Sequence, residues 1–292
     1  MKKSLIYFLA LSLISMLIVK CCVRPKKYMV LDLVSGRISY MSKEPSGGWT
    51  DNYKTTKLVL RYIPAGSFIM GSPKEEIGRD QDEVQHKVKI KKPFYMGIFE
   101  VTAHQYFLIY GERPSECPPD PRRPAVDVSL NKLCGVYHPK PHEINLRSFL
   151  GVLRSKTKLD FDIPTEAQWE YACRAGTKTA WNSGKDIKDS ARDAELEKLG
   201  HYQSKGENFG NQTAPVGLYL PNAWGLYDMH GNVSELCWYV HDDYSTDVNK
   251  DYAVYGVLRG GCYRSPAGEC RSASRGKTTS GYFVGFRLVL QR

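Results

Sequence analysis

After Gly176 this chain sustains neither a helical nor a strand period; Gly, Asn, Asp and Ser interrupt it to the end. Irregular stretches of that length inside a compact domain are usually functional. The 292 residues are long for one domain and short for two, and 42% apolar with 25% charged residues permits a large core. The regular elements that can be argued lie before Gly176. Thr102-Ala103-His104-Gln105 is a capping box that opens a helix, and Thr165-Glu166-Ala167-Gln168 is a second. The second sends Trp169, Ala172 and Cys173 toward the core, with Gly176 placed as its stop. Leu146, Phe149, Leu150 and Leu153 have the spacing of one amphipathic helix face. Residues 63–71 read as a turn and a buried strand, and Val88-Lys89-Ile90 as a strand with an exposed face. Residues 23–60, with an apolar stretch at Tyr28 to Leu33, read as an N-terminal extension to a domain spanning 61–292.

The first residues point to export. Met1-Lys2-Lys3 precedes an apolar run from Leu5 to Val19, the length of a signal core and short for a spanning helix. Residues 1–22 are therefore expected to be an export signal. Cys21 and Cys22 follow the run directly, as a lipidated cysteine would, although Lys20 and Cys21 stand where a small residue is expected. Lipid anchoring at Cys21 or Cys22, an uncleaved anchor and plain secretion all remain open. The other six cysteines show no C-x-x-C spacing, so no zinc pattern appears. The net charge of +10 is dispersed, with small clusters at Lys26-Lys27 and Lys87 to Lys92. Neither has the density of a nucleic-acid stripe, so nucleic acid is not an expected partner and the lysines read as a solvated basic surface.

Five segments in order carry a family resemblance: Ile63 to Ser72, Ile163 to Ala172, Asn222 to Val233, Leu258-Arg259-Gly260-Gly261 and Gly285-Phe286-Arg287-Leu288. Together they resemble the formylglycine-generating, or sulfatase-modifying factor, superfamily. The resemblance implies an α+β fold of the C-type-lectin-like kind, with few helices, short strands and much ordered loop. Around Gly231, Asp228 and Glu235 bracket a turn, and two carboxylates with backbone carbonyls suit calcium. The resemblance implies the same structural ion, held by Asp228, Glu235 and the carbonyls of Gly231 and Val233.

The superfamily's founding activity oxidises a substrate cysteine, using copper held by two cysteines. In that pattern the cysteines lie four and nine residues after the Gly-Gly pair. Here those positions hold Ser265 and Cys270, and Cys262 follows the glycines directly. A hydroxyl does not replace a thiolate for Cu(I), so copper is not expected. If the chain is an enzyme, Cys270 and Cys262 are its candidates; a disulfide between them or two buried thiols is the plainer account. The C-terminus also resembles the variable proteins of diversity-generating retroelements, including a treponeme-type surface lipoprotein. Their fixed scaffold matches Arg259-Gly260-Gly261, Cys270 to Ala273, Arg275 and Gly285 to Leu288. On that pattern Tyr263, Ser265, Ala267, Ser274, Tyr282 and Phe283 are expected to be exposed and to bind ligand. Tyr, Ser and Gly suit such a face, because rigid aromatics supply area and small residues let them fit. The expected function is a cell-surface or periplasmic protein that binds an unknown protein or surface ligand through a diversified face formed by its C-terminal segment, about residues 259–287. A formylglycine-generating-type oxidoreductase and a structural envelope component are the alternatives.

Overall fold

The structure is a computed structural model that describes residues 26–114, 119–136, 142–203, 212–239, 256–276, 281 and 283–291. The expected export signal with Cys21 and Cys22, and the expected binding residue Tyr282, lie outside the described residues. The strands are β1 (Tyr28–Asp32), β2 (Ile38–Met41), β3 (Lys57–Ile63), β4 (Gly66–Met70), β5 (His86–Ile90) and β6 (Phe94–Gly97) in the first part of the chain. Then come β7 (Phe161–Asp162), β8 (Ser234–Cys237), β9 (Val257–Arg259), β10 (Arg275–Gly276), β11 (Val284–Gly285) and β12 (Val289–Gln291). The helices are α1 (Asn52–Thr55), α2 (Ala103–Tyr110), α3 (Leu130–Cys134), α4 (Phe149–Thr157), α5 (Glu166–Arg174) and α6 (Leu196–Leu199). Few helices and many short strands make this the α+β, C-type-lectin-like architecture.

A six-stranded sheet, in the order β2-β1-β3-β6-β12-β7, divides two hydrophobic clusters. Successive side chains of a strand point to opposite faces. On β1, Met29 and Leu31 enter one cluster while Tyr28 and Val30 enter the other. On β3, Leu58 and Leu60 part from Val59 and Ile63 in the same way. These strands are covered on both faces, so their sequences read as apolar runs. Helices α2, α3 and α4 cover one face through Tyr106, Leu133 and Phe149, while α5 covers the other through Trp169 and Ala172. A second sheet, in the order β10-β9-β8-β11, carries the C-terminal segment; β4 and β5 form a separate antiparallel ribbon.

Both capping boxes are present, with Thr102 and Gln105, and Thr165 and Gln168, satisfying each other's backbone N–H groups. Helix α5 stops at Ala175, which itself adopts the left-handed conformation one residue before Gly176. Three expectations change. Residues 28–60 are not an appendage, because β1 pairs along its whole length with β3 and is buried. Leu146 is not on the buried face of α4: the helix starts after its N-cap Ser148, which leaves Leu146 outside it and 77% exposed. Strand β4 is buried on one face only, with Ile69 exposed on the other.

Candidate ligand-binding cleft

Short, irregular segments cannot satisfy their own backbone through a ladder, and buried carbonyls without partners are costly. Here arginines supply the donors. The fully buried Arg259 donates to the carbonyls of Ser272 at 2.9 Å, Ala273 at 2.7 Å and Ser274 at 2.5 Å, and pairs with Glu170. Arg275 makes a two-pronged pair with Glu166, both contacts at 2.8 Å. Glu166 and Glu170 are four residues apart on α5, so one helix face holds both arginines. Arg271 reaches Glu83 and Glu76 and donates to the carbonyl of Gly268, tying the same segment to the loop after β4. The glycine pair permits the sharp exit from β9. Gly260 and Gly261 have φ of +88° and +67°, and a Cβ on Gly261 would lie 2.7 Å from Cys270 Sγ.

This clamped segment walls a cleft of about 480 Å³. Cys262 and Ser265 come from the turn after the glycines, Ser274 and Arg275 from the start of β10, and Phe283 from the far end of the segment. Ser234 of β8 and Leu258 of β9 also line it, while Asp80, Arg264 and Glu269 bring charges of both signs. Burial, with Glu83 and Asp82 nearby, raises the Asp80 carboxyl above the usual carboxylate range.

Of the residues expected to form an exposed binding face, Ser265, Ser274 and Phe283 line this cleft. The expected exposure is corrected: Tyr263, Ser265, Ala267 and Ser274 are buried and Phe283 is half-buried. Tyr263 lies parallel to the His201 ring, centroids 6.3 Å apart, with the Arg264 guanidinium over it at 5.3 Å. Ala267 packs in a cluster with Trp181 and Ile187, its N–H donating to the Ala191 carbonyl. The arginine clamp pulls the segment inward, so its side chains face a concavity and a core instead of solvent. Asp80, Ser234, Leu258 and Glu269 were not anticipated as lining residues. Asp80 comes from a loop remote in sequence, and the others carry no local signal.

The two cysteine candidates do not share the cleft wall. Cys262 lines it, with Sγ 3.6 Å from Ser265 Oγ and accepting the Arg264 N–H at 3.4 Å. Cys270 is a free thiol in the cluster with Trp181 and Ala267, and burial pushes its pKa up. One thiol and one hydroxyl form a donor set that does not fit Cu(I), which favours thiolates. At the calcium turn, Asp228 and Glu235 are both buried, and burial, with Glu235 nearby, raises the Asp228 carboxyl to about 6. Both Glu235 oxygens are engaged by Arg287 at 2.6 and 2.5 Å, one also by the Trp169 indole N–H at 2.9 Å. Asp228 accepts the Gly217 N–H at 2.6 Å. Next to a guanidinium that neutralises Glu235, the turn with Gly231 and Val233 does not fit the oxygen cage of a calcium ion. It is the anchor of a buried ion pair. Glu100, which accepts from Asn232 and the Val233 N–H, is pushed well above the carboxylate range by burial and by these two carboxylates.

A C-type-lectin-like body whose C-terminal segment is clamped by arginines around a cleft defines the class of scaffold to which this chain is similar. The Sulfatase-modifying factor enzyme 1-like domain matches residues 50–292, and the chain belongs to this family. It is 36% identical over 140 residues to the serine/threonine-protein kinase pkn1 of Chlamydia caviae, which covers 44% of this chain and 20% of that protein. The chain thus spans about a fifth of the length of that relative. It is 26% identical over 283 residues to the formylglycine-generating enzyme of Bos taurus, covering 80% of this chain and 74% of that one. PvdO from Pseudomonas aeruginosa superposes with a TM-score of 0.63 at 27% identity, covering 80% of this chain and 94% of PvdO. Treponema denticola variable protein 1 shares the fold, with a TM-score of 0.61 at 22% identity over 81% of this chain and 96% of its own.

Proposed function

We propose that the protein is an exported ligand-binding member of its family, and that it binds a peptide segment of a protein partner in the cleft walled by its C-terminal segment. The observation that carries this reading is the cleft itself. It is rigidly framed, large enough for several side chains, and lined by hydroxyls, an aromatic ring and charges of both signs. Such a lining suits mixed polar and apolar recognition. The cysteine donors argue against oxidation of a substrate cysteine, since among the described residues Cys262 is the one cysteine that lines the cleft. The N-terminal apolar run supports export, and Cys21 or Cys22 would supply a lipid anchor.

A displayed peptide library selected against the full-length protein tests the reading. Ser274→Trp fills the cleft, and Arg264→Glu with Glu269→Lys inverts the charges of two exposed side chains on its wall. Peptides selected by the wild type should lose binding to the first variant and be replaced by others in the second. Recovery of the same peptides with equal affinity by all three proteins would overturn the cleft as the binding site. Oxygen-dependent conversion of a sulfatase-type cysteine peptide would return the oxidase reading to the lead.

A further inference from the structure

Six lysines gather toward one end of the molecule. By register Lys87 and Lys89 of β5 stand opposite Ile69 and Ser67 of β4, and all four side chains are exposed. The other face of this ribbon turns inward, where Phe68 packs on Tyr171 of α5 at 5.3 Å. Lys91 and Lys92 follow β5 directly, are exposed, and lead into β6, whose first residue Phe94 pairs with Ile63. The chain enters the sheet at the same place. The Tyr62 N–H donates to the Lys27 carbonyl at 2.9 Å, and the hydroxyl of its cross-strand neighbour Tyr95 donates to the Lys26 carbonyl at 3.1 Å. Lys26 and Lys27 are exposed as well. No Asp or Glu occurs from Leu58 to Lys74 or from Val84 to Phe99, so neither strand of the ribbon nor its approaches carry a neutralising carboxylate.

This end is also where the apolar run Leu5 to Val19 joins the fold. From Val19 to Lys26 is seven residues, a reach of at most about 25 Å. Whatever holds the apolar run therefore lies close to the lysines. We propose that this cationic end docks on the anionic headgroups of the membrane that receives the N-terminal run, with Ile69 set among the lysines against the interface. The proposal rests on the reading of that run as a membrane-seeking segment. Its occupant follows from charge and position: a lysine near an anionic bilayer favours the bound state by roughly fivefold, and several act together. Docked this way, the body of the protein is held at a fixed orientation instead of swinging on a tether.

Full-length protein reconstituted in vesicles of phosphatidylcholine, with and without one-third phosphatidylglycerol, tests the proposal. Lysine acylation is read by mass spectrometry at each site. Lys87, Lys89, Lys91 and Lys92 should be labelled several-fold less in the anionic vesicles and regain labelling in high salt, while Lys198 and Lys132 label equally in both. Replacing the four by glutamine should leave the melting temperature unchanged and restore labelling of Lys26 and Lys27. Vesicle association without any change in labelling would overturn the docking face and keep the anchor. Protection in anionic vesicles without association to neutral ones would support the docking face and remove the anchor reading. Protection by a soluble polyanion but not by the anionic vesicles, or no association with either vesicle, would overturn the proposal.

Discussion

Arg259 donates to three successive carbonyls of the irregular segment before β10, and neutralises Glu170 as it does so. Removing one member of a buried pair leaves an uncompensated charge. Arg259→Ala should therefore cost about 3–5 kcal/mol in urea unfolding, and Arg259→Lys should rescue it only in part, because an ammonium lacks the planar fork. His230 makes a pH-dependent contribution. It is fully buried, its Nδ1 meeting the Cys270 carbonyl at 2.7 Å and its Nε2 the Asn182 N–H at 3.2 Å, and burial lowers its pKa to about 4. In the unfolded chain an imidazole takes its proton near 6.5. Between these values the unfolded state binds more protons, so this contribution is complete above pH 6.5 and lost as the pH falls toward 4. The loss is about 3 kcal/mol. Asp228, raised by burial to about 6, acts in the opposite sense. The measurement is thus a comparison: His230→Gln should show a flatter fall of unfolding free energy between neutral and acid pH than the wild type. Equal slopes would contradict the buried neutral imidazole.

Helix α5 has all nine residues buried and presents Glu166 and Glu170 to the C-terminal segment, so its start must be well fixed. Thr165→Ala removes the acceptor for the Gln168 N–H, and should cost about 1 kcal/mol by thermal or urea unfolding. Thr165→Ser should be near wild type. Caps of this kind are legible in sequence because donor and acceptor are three residues apart, and both capping boxes were expected where they occur. The start of α4 was misplaced because apolar spacing alone continues through Leu146, whereas the N-cap Ser148 decides where the helix begins. The two- and three-residue strands β7, β9, β10 and β11 have no period to detect. The arginine clamp was legible only as a frame: the sequence marked Arg259 and Arg275 as scaffold, but their partners on α5 are 89 and 109 residues away. For the same reason Ser265, Ser274 and Phe283 were anticipated as binding residues, while the loop that brings Asp80 to them was not.

Across the whole molecule, the first strand and the last share one sheet, with only β3 and β6 between them. Deleting residues 1–60 strips β1, β2 and most of β3 from that sheet and bares both hydrophobic clusters. The shortened protein should fail to give a cooperative melt; a sharp transition near that of the full chain would show that the domain begins at residue 61 after all. Its fold family was visible from five short segments because each sits at a sheet junction or an arginine contact, where few residue types serve. The cysteines close the account at this scale. Cys134, Cys173, Cys237, Cys262 and Cys270 are buried free thiols, and Cys262 alone of these five borders the cleft. A bulky thiol reagent reaches the other four only when the fold opens. They act as clocks set at separate depths: each one's modification rate under native conditions times the opening of its own surroundings. Cys262 should react early, and each of the other four should react only as its own surroundings open, at rates that converge on global unfolding as urea is raised. A chain that folds in an oxidising compartment must therefore complete its burial before these clocks are struck, for the folded protein is the only one of its states in which they stand silent.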